Sequence, residues 1–187
     1  MAEHERIQRQ QALREAEGYL ELLQVGSGRF SLSPPVRDTL ANRALELLHR
    51  IRFFGRNRVT ALLLEGQALR CMERYEQAIG PLTRSAELDP HNVHVWLALG
   101  WCYKRLGRLD MAIQSLEEAL NVEPIEPIVL YNLACYWSLA GNRKLAIGYL
   151  SQALELDPSF RELADKESDF DPIRHDPEFQ SLLSVQV

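Results

Sequence analysis

The sequence predicts an all-α fold built from repeated helix–turn–helix units. Three observations predict it. Pro90, Pro124 and Pro158 recur at intervals of 34 residues. Between them, apolar residues recur three, four and seven apart, the spacing that returns to one side of an α-helix. Small residues recur at matching places, where two helices would have to approach closely. A fixed period of this length marks an array in which each unit buries its apolar side against its neighbours.

The copy over 93–126 is the clearest. It reads Trp96, Leu99, Gly100, Tyr103, Gly107, Ala112, Leu116, Ala119 and Pro124. Gly107 suits a helix C-terminus, where a left-handed residue ends the first helix. The copy over 127–160 carries Leu130, Leu133, Ala134, Trp137, Gly141, Ala146, Leu150, Ala153 and Pro158. Pro127 suits a first helical turn, where its missing N–H costs nothing. The copy over 59–92 is looser. It keeps Leu62, Gly66, Leu69, Ala78, Leu82 and Pro90, but Glu65 stands where Leu is expected and Glu73 stands in place of the turn glycine.

The Trp-x2-Leu-Gly-x2-Tyr spacing, followed by Ala112, Ala119 and Pro124, resembles the tetratricopeptide repeat (TPR) family. The resemblance implies a right-handed helical solenoid with three repeats, over 59–92, 93–126 and 127–160. It also implies a protein-interaction scaffold without enzymatic activity.

The flanks read as caps. Leu13, Ala16, Leu20 and Leu23 form a helical stripe. A Gly/Ser-bearing loop is expected over Val25–Ser33. Ser33-Pro34-Pro35 then reads as an N-cap and first turn, followed by Val36, Leu40, Ala44, Leu48 and Ile51. Residues 3–56 are therefore expected to form a degenerate repeat or capping hairpin. Residues 161–187 are expected to form a C-terminal helical cap, with Asp-Phe-Asp-Pro turn chemistry at 169–172 and a short helix opening at Asp176-Pro177. This tail reads as a lid over the end of the last repeat. The competing reading folds the acidic tail into the groove or into a neighbouring molecule.

Composition narrows the function. There is no run of about 18 apolar residues to span a membrane, and the N-terminus has no apolar signal core, so a cytoplasmic protein is expected. Cys71, Cys102 and Cys135 have neither the spacing nor the even count of a disulfide or zinc framework, and buried thiols are expected. The formal charge runs from +3 over 1–58 to −3 over 59–124 and −5 over 125–187. Nucleic-acid binding along the array would need a basic surface and is not expected. Head-to-tail self-association between the basic and acidic ends is an alternative.

Catalytic signatures are missing. His91 and His94 are close in sequence but have no carboxylate partner, and there is no phosphate-cradling loop or nucleophile elbow. No cofactor and no metal are expected.

The resemblance implies that the first helices of successive repeats line a concave groove. The candidate partner-binding residues are then Leu63, Gln67 and Arg70 from the first repeat. The second gives His94, Leu97, Trp101, Lys104 and Arg105, and the third gives Ile128, Tyr131 and Asn132. Trp101 and Tyr131 fall outside the core pattern and are expected as apolar anchors. Arg70, Lys104 and Arg105 would edge them with positive charge. An acidic or amphipathic peptide or helix with an apolar anchor would fit. Members of the family that grip a C-terminal carboxylate use Lys and Asn at fixed groove places. Here only Asn132 matches, with Ala98 and Leu64 at the equivalent places, so carboxylate clamping is not expected.

Overall fold

The structure is a computed structural model that describes residues 2–25 and 32–184. Most of the loop expected over Val25–Ser33 lies outside the described residues. The chain divides into two compact units, Met1–Cys102 and Tyr103–Val187. Every regular element among the described residues is helical.

The first unit holds α1 (Ala2–Val25), α2 (Pro34–Arg50), α3 (Arg56–Cys71), α4 (Tyr75–Leu88) and the greater part of α5 (Val93–Arg105). Helices α1 and α2 pack as a pair, α2 and α1 both meet α3, and α3 pairs with α4. The second unit holds α6 (Leu109–Val122), α7 (Pro127–Leu139), α8 (Arg143–Leu156), α9 (Phe160–Lys166), a 3-10 turn (Ser168–Ile173) and α10 (Pro177–Ser184). There α7 meets α6, α8 and the 3-10 turn, while α10 packs on α8 and α9. The packing is therefore sequential, as a repeat array requires.

Burial follows the period. Leu82, Leu116 and Leu150 are wholly buried, as are Ala78, Ala112 and Ala146 one turn before them. A leucine of this kind contributes about 1.5–3 kcal/mol by leaving water. The small residue beside it lets the paired helix come close. At Gly66 the approach is at its limit: an added Cβ would strike the Leu82 side chain. Ser85 occupies a place where the later repeats use Ala119 and Ala153. Its buried hydroxyl donates to the Val59 carbonyl at 3.1 Å, so the polar group is satisfied.

The turns between paired helices also keep register. Gly107 and Gly141 have φ of 73° and 77°, and Glu73, at the same place in the first copy, has φ of 60°. A side chain in this left-handed region costs about 1–2 kcal/mol. Glu73 recovers part of that through an ion pair with Arg37 of α2 at 2.7 Å. This pair is partly exposed, and such pairs give at most about 1 kcal/mol.

Several flank expectations needed adjustment. The α3 helix starts at Arg56, ahead of Val59. Pro34 and Pro35 open α2 as expected, but the Ser33 side chain makes no cap hydrogen bond. Asp176 does cap α10, accepting from the Glu178 and Phe179 amides at 2.8 and 3.3 Å. A hydrogen bond from Arg143 of α8 to the same carboxylate holds the Asp176 carboxyl below its usual pKa range.

Two substitutions check this packing by thermal or denaturant unfolding. Gly66→Ala is expected to destabilise the protein by about 1–3 kcal/mol, because Leu82 has nowhere to move. Glu73→Gly is expected to be neutral or stabilising by up to about 1 kcal/mol. A loss of stability in Glu73→Gly would mean that the Arg37 pair outweighs the backbone strain.

Candidate functional site

The residues assigned to an inner face fall in both units, and they differ in what covers them. In the first unit, Leu63, Gln67, Leu97 and Trp101 are half-buried and His94 is exposed. Arg70 leaves α3 and lies over the Trp101 ring, with its guanidinium carbon 5.0 Å from the centroid. Tyr75, at the start of α4, meets the same indole edge-on with centroids 5.2 Å apart. Arg70 Nε is shielded from solvent and has no hydrogen-bond acceptor. No carboxylate among the described residues pairs with Arg70. The result is an aromatic platform with a cation stacked on it, a favourable arrangement for the ring quadrupole.

In the second unit the corresponding face of α7 is occupied. Tyr131 is 6% exposed. Its ring stacks on Phe160 of α9 at 4.7 Å and meets Phe170 of the 3-10 turn edge-on at 5.8 Å. Phe170 has no exposed surface and touches Phe179 of α10, with ring centroids 5.3 Å apart. Asp169, beside Phe170, is itself buried and forms an ion pair with Lys104 at 2.6 Å. Arg174 closes the segment by donating to the Asp165 and Glu167 carbonyls, both at 2.6 Å.

Two sequence expectations are corrected here. Tyr131 is not an exposed anchor, because the C-terminal segment buries its ring among phenylalanines. Lys104 is not a free electrostatic guide, because Asp169 neutralises it. The expectation of a lid over the end of the array also needs extending. The tail packs on α8, but the 3-10 turn lies against the α7 side that was assigned to the groove. Asn132 folds back on its own helix, donating to the Ile128 carbonyl at 2.8 Å. Ile128 and Arg105 remain exposed. The sequence places an acid and an aromatic together at Asp169-Phe170, but it does not name the residues they meet.

The thiols report the same coverage. Burial pushes the Cys102 thiol up to about 11, against the opposing charge of Arg70. Burial also raises Cys135 strongly, and the carboxylates of Asp169 and Glu167 add to the shift while Lys104 opposes it. Desolvation raises the Tyr131 hydroxyl, which lies beside the Cys135 thiol. Cys71 is half-buried and its thiol is raised for the same reason, with Arg70 and Arg37 opposing. Among the described residues no group of three His, Cys, Asp or Glu side chains is arranged to hold a metal. No described helix is long and apolar enough to cross a membrane.

Known proteins add a family to this geometry. Residues 71–134 match the family model described as tetratricopeptide repeat. Helix pairs with a 34-residue register occupy those same residues. Residues 71–134 carry tetratricopeptide repeats. Among solved structures, MamA AMB-1 is 26% identical with a TM-score of 0.57, over 81% of this chain and 97% of that one. YrrB, described as a TPR protein with an unusual peptide-binding site, is 19% identical with a TM-score of 0.56, over 76% of this chain and 68% of that one. This second likeness is one of fold. Anaphase-promoting complex subunit 3 of Dictyostelium discoideum is 35% identical over 68 residues. That match covers 36% of this chain and 6% of the relative.

Thiol labelling measures the coverage of α7 directly. In the folded protein Cys71 should react first with a maleimide, and Cys102 and Cys135 slowly. Phe170→Ala should lower stability by about 3–5 kcal/mol. It should also speed labelling at Cys135 by about tenfold or more, as water and reagent reach the thiol. Rates at all three sites should rise with pH, because the thiolate is the reactive form. Unchanged Cys135 labelling in folded Phe170→Ala would contradict the coverage.

Proposed function

We propose that this TPR chain is a non-enzymatic protein–protein interaction scaffold whose partner, a peptide or helix, docks on the first unit's face. The observation that carries this reading is the Trp101 platform with Arg70 lying over its ring. A large ring with exposed surface beside a cation supplies the two things that dominate peptide recognition, an apolar anchor and electrostatic guidance. Leu63, Leu97 and Gln67 extend the surface, and His94 edges it. The partner is an acidic or amphipathic segment with an apolar side chain that reaches the indole.

The second unit enters this mechanism differently. Its equivalent face is closed by residues of the same chain, so Tyr131 and Lys104 serve stability there. Truncating Tyr131 would test the core of the second unit and not partner binding. YrrB, of similar fold, is described as having a peptide-binding site, which supports placing a peptide on a fold of this kind.

The test is binding of a panel of fluorescently labelled acidic amphipathic peptides with Leu, Phe or Trp anchors. Trp101→Ala should weaken the peptides that bind by about tenfold or more, since a truncated hot-spot aromatic costs about 2 kcal/mol or more. Far-UV circular dichroism checks that the variant is folded. Peptide binding unaltered in folded Trp101→Ala would remove the first unit's face from consideration.

A further inference from the structure

The repeat register relates the two faces residue by residue. Lys104, Tyr131 and Cys135 lie 34 residues after Arg70, Leu97 and Trp101. The first set contacts or faces the Asp169-Phe170 segment. Lys104 takes the carboxylate at 2.6 Å, Tyr131 takes the Phe170 ring, and Cys135 lies close enough to feel the Asp169 charge. The second set offers the same order of chemistry: a cation, an apolar side chain and, in place of the thiol, an indole.

We infer that the Arg70–Leu97–Trp101 face binds a partner segment in which an acidic residue immediately precedes an aromatic one, the chemistry with which the chain's own Asp169-Phe170 covers the register-equivalent face. The inference rests on the proposed binding role of that face and names the ligand class. Three features of the site carry it. Arg70 lacks a carboxylate among the described residues, whereas Lys104 has one. Its guanidinium is held in place by the indole, and Arg can grip a carboxylate through two parallel hydrogen bonds. Trp101 and Leu97, both half-buried, keep accessible apolar surface for an aromatic ring. The acid fixes direction and the ring supplies burial, so neither alone is sufficient. In the second unit the ligand is tethered, which makes its effective concentration high. In the first unit the segment arrives from another protein and must bind without that advantage.

The probe is a synthetic peptide with the sequence of residues 165–176, blocked at both ends and labelled for anisotropy, titrated against the full chain. Saturable binding should appear, and Arg70→Met should weaken it by about tenfold or more. Peptides carrying the changes D169N or F170A should each lose a similar factor. No saturable binding, or binding indifferent to Arg70→Met, would overturn the inference. The second result would mean exchange with the tethered segment on α7. Sedimentation of the chain alone distinguishes another occupant: self-association abolished by Arg70→Met would assign the face to a second copy and also overturn the inference. If other panel peptides still depend on Trp101 while this probe fails, the binding face stands and only the ligand class falls. If no peptide depends on Trp101, both fall.

Discussion

Close contact between paired helices is the constraint on which the fold depends. Leu82, Leu116 and Leu150 are wholly buried, and each needs a small residue opposite or beside it. Gly66 shows how little room there is, since a single methyl group would collide with Leu82. Flanking elements then cover further parts of the first helices, as α1 and α2 do on α3 and the 3-10 turn does on α7. First-helix residues outside these contacts face either solvent or a ligand. The functional question is therefore what covers that remaining surface.

The two units answer it with different chemistry. On α7, Phe170 enters an aromatic cluster with Tyr131 and Phe179, and Asp169 brings the counter-charge for Lys104. A buried carboxylate is tolerable only with such a partner. Burial and two nearby carboxylates then keep the Cys135 thiol protonated and inert. In the first unit, Arg70 and Trp101 stabilise each other, and Tyr75 steadies the indole. The cation there is positioned but has no carboxylate among the described residues.

The fold was legible because its determinants are local and periodic. The prolines, the buried leucines and the turn residues recur every 34 positions, and even Glu73 was visible as the departure it proved to be. The site was only partly legible. Repeat register placed Arg70 and Trp101 on one side of the array, and the structure adds the cation stacked on the ring. The same register made Tyr131 look like a second anchor. Nothing periodic marks residue 170 as the partner of residue 131, since that contact joins the repeat to a segment outside it. The pairing of Lys104 with Asp169 was hidden for the same reason. Opposite charges were present in both regions, but charge alone does not specify which residues meet.

One face of α7 is filled by the chain itself, whereas the Trp101 face is the one proposed to accept a partner. Amide and indole NMR signals of the full chain, followed during addition of an acidic–aromatic peptide, test it most directly. The three tryptophans give separate indole reporters. The Trp101 indole signal should move with saturation, together with the backbone signals near Arg70 and Leu97. The signals of Tyr131, Cys135 and Phe170 should stay in place. Shifts concentrated on α7 and the 3-10 turn, with Trp101 unmoved, would contradict it.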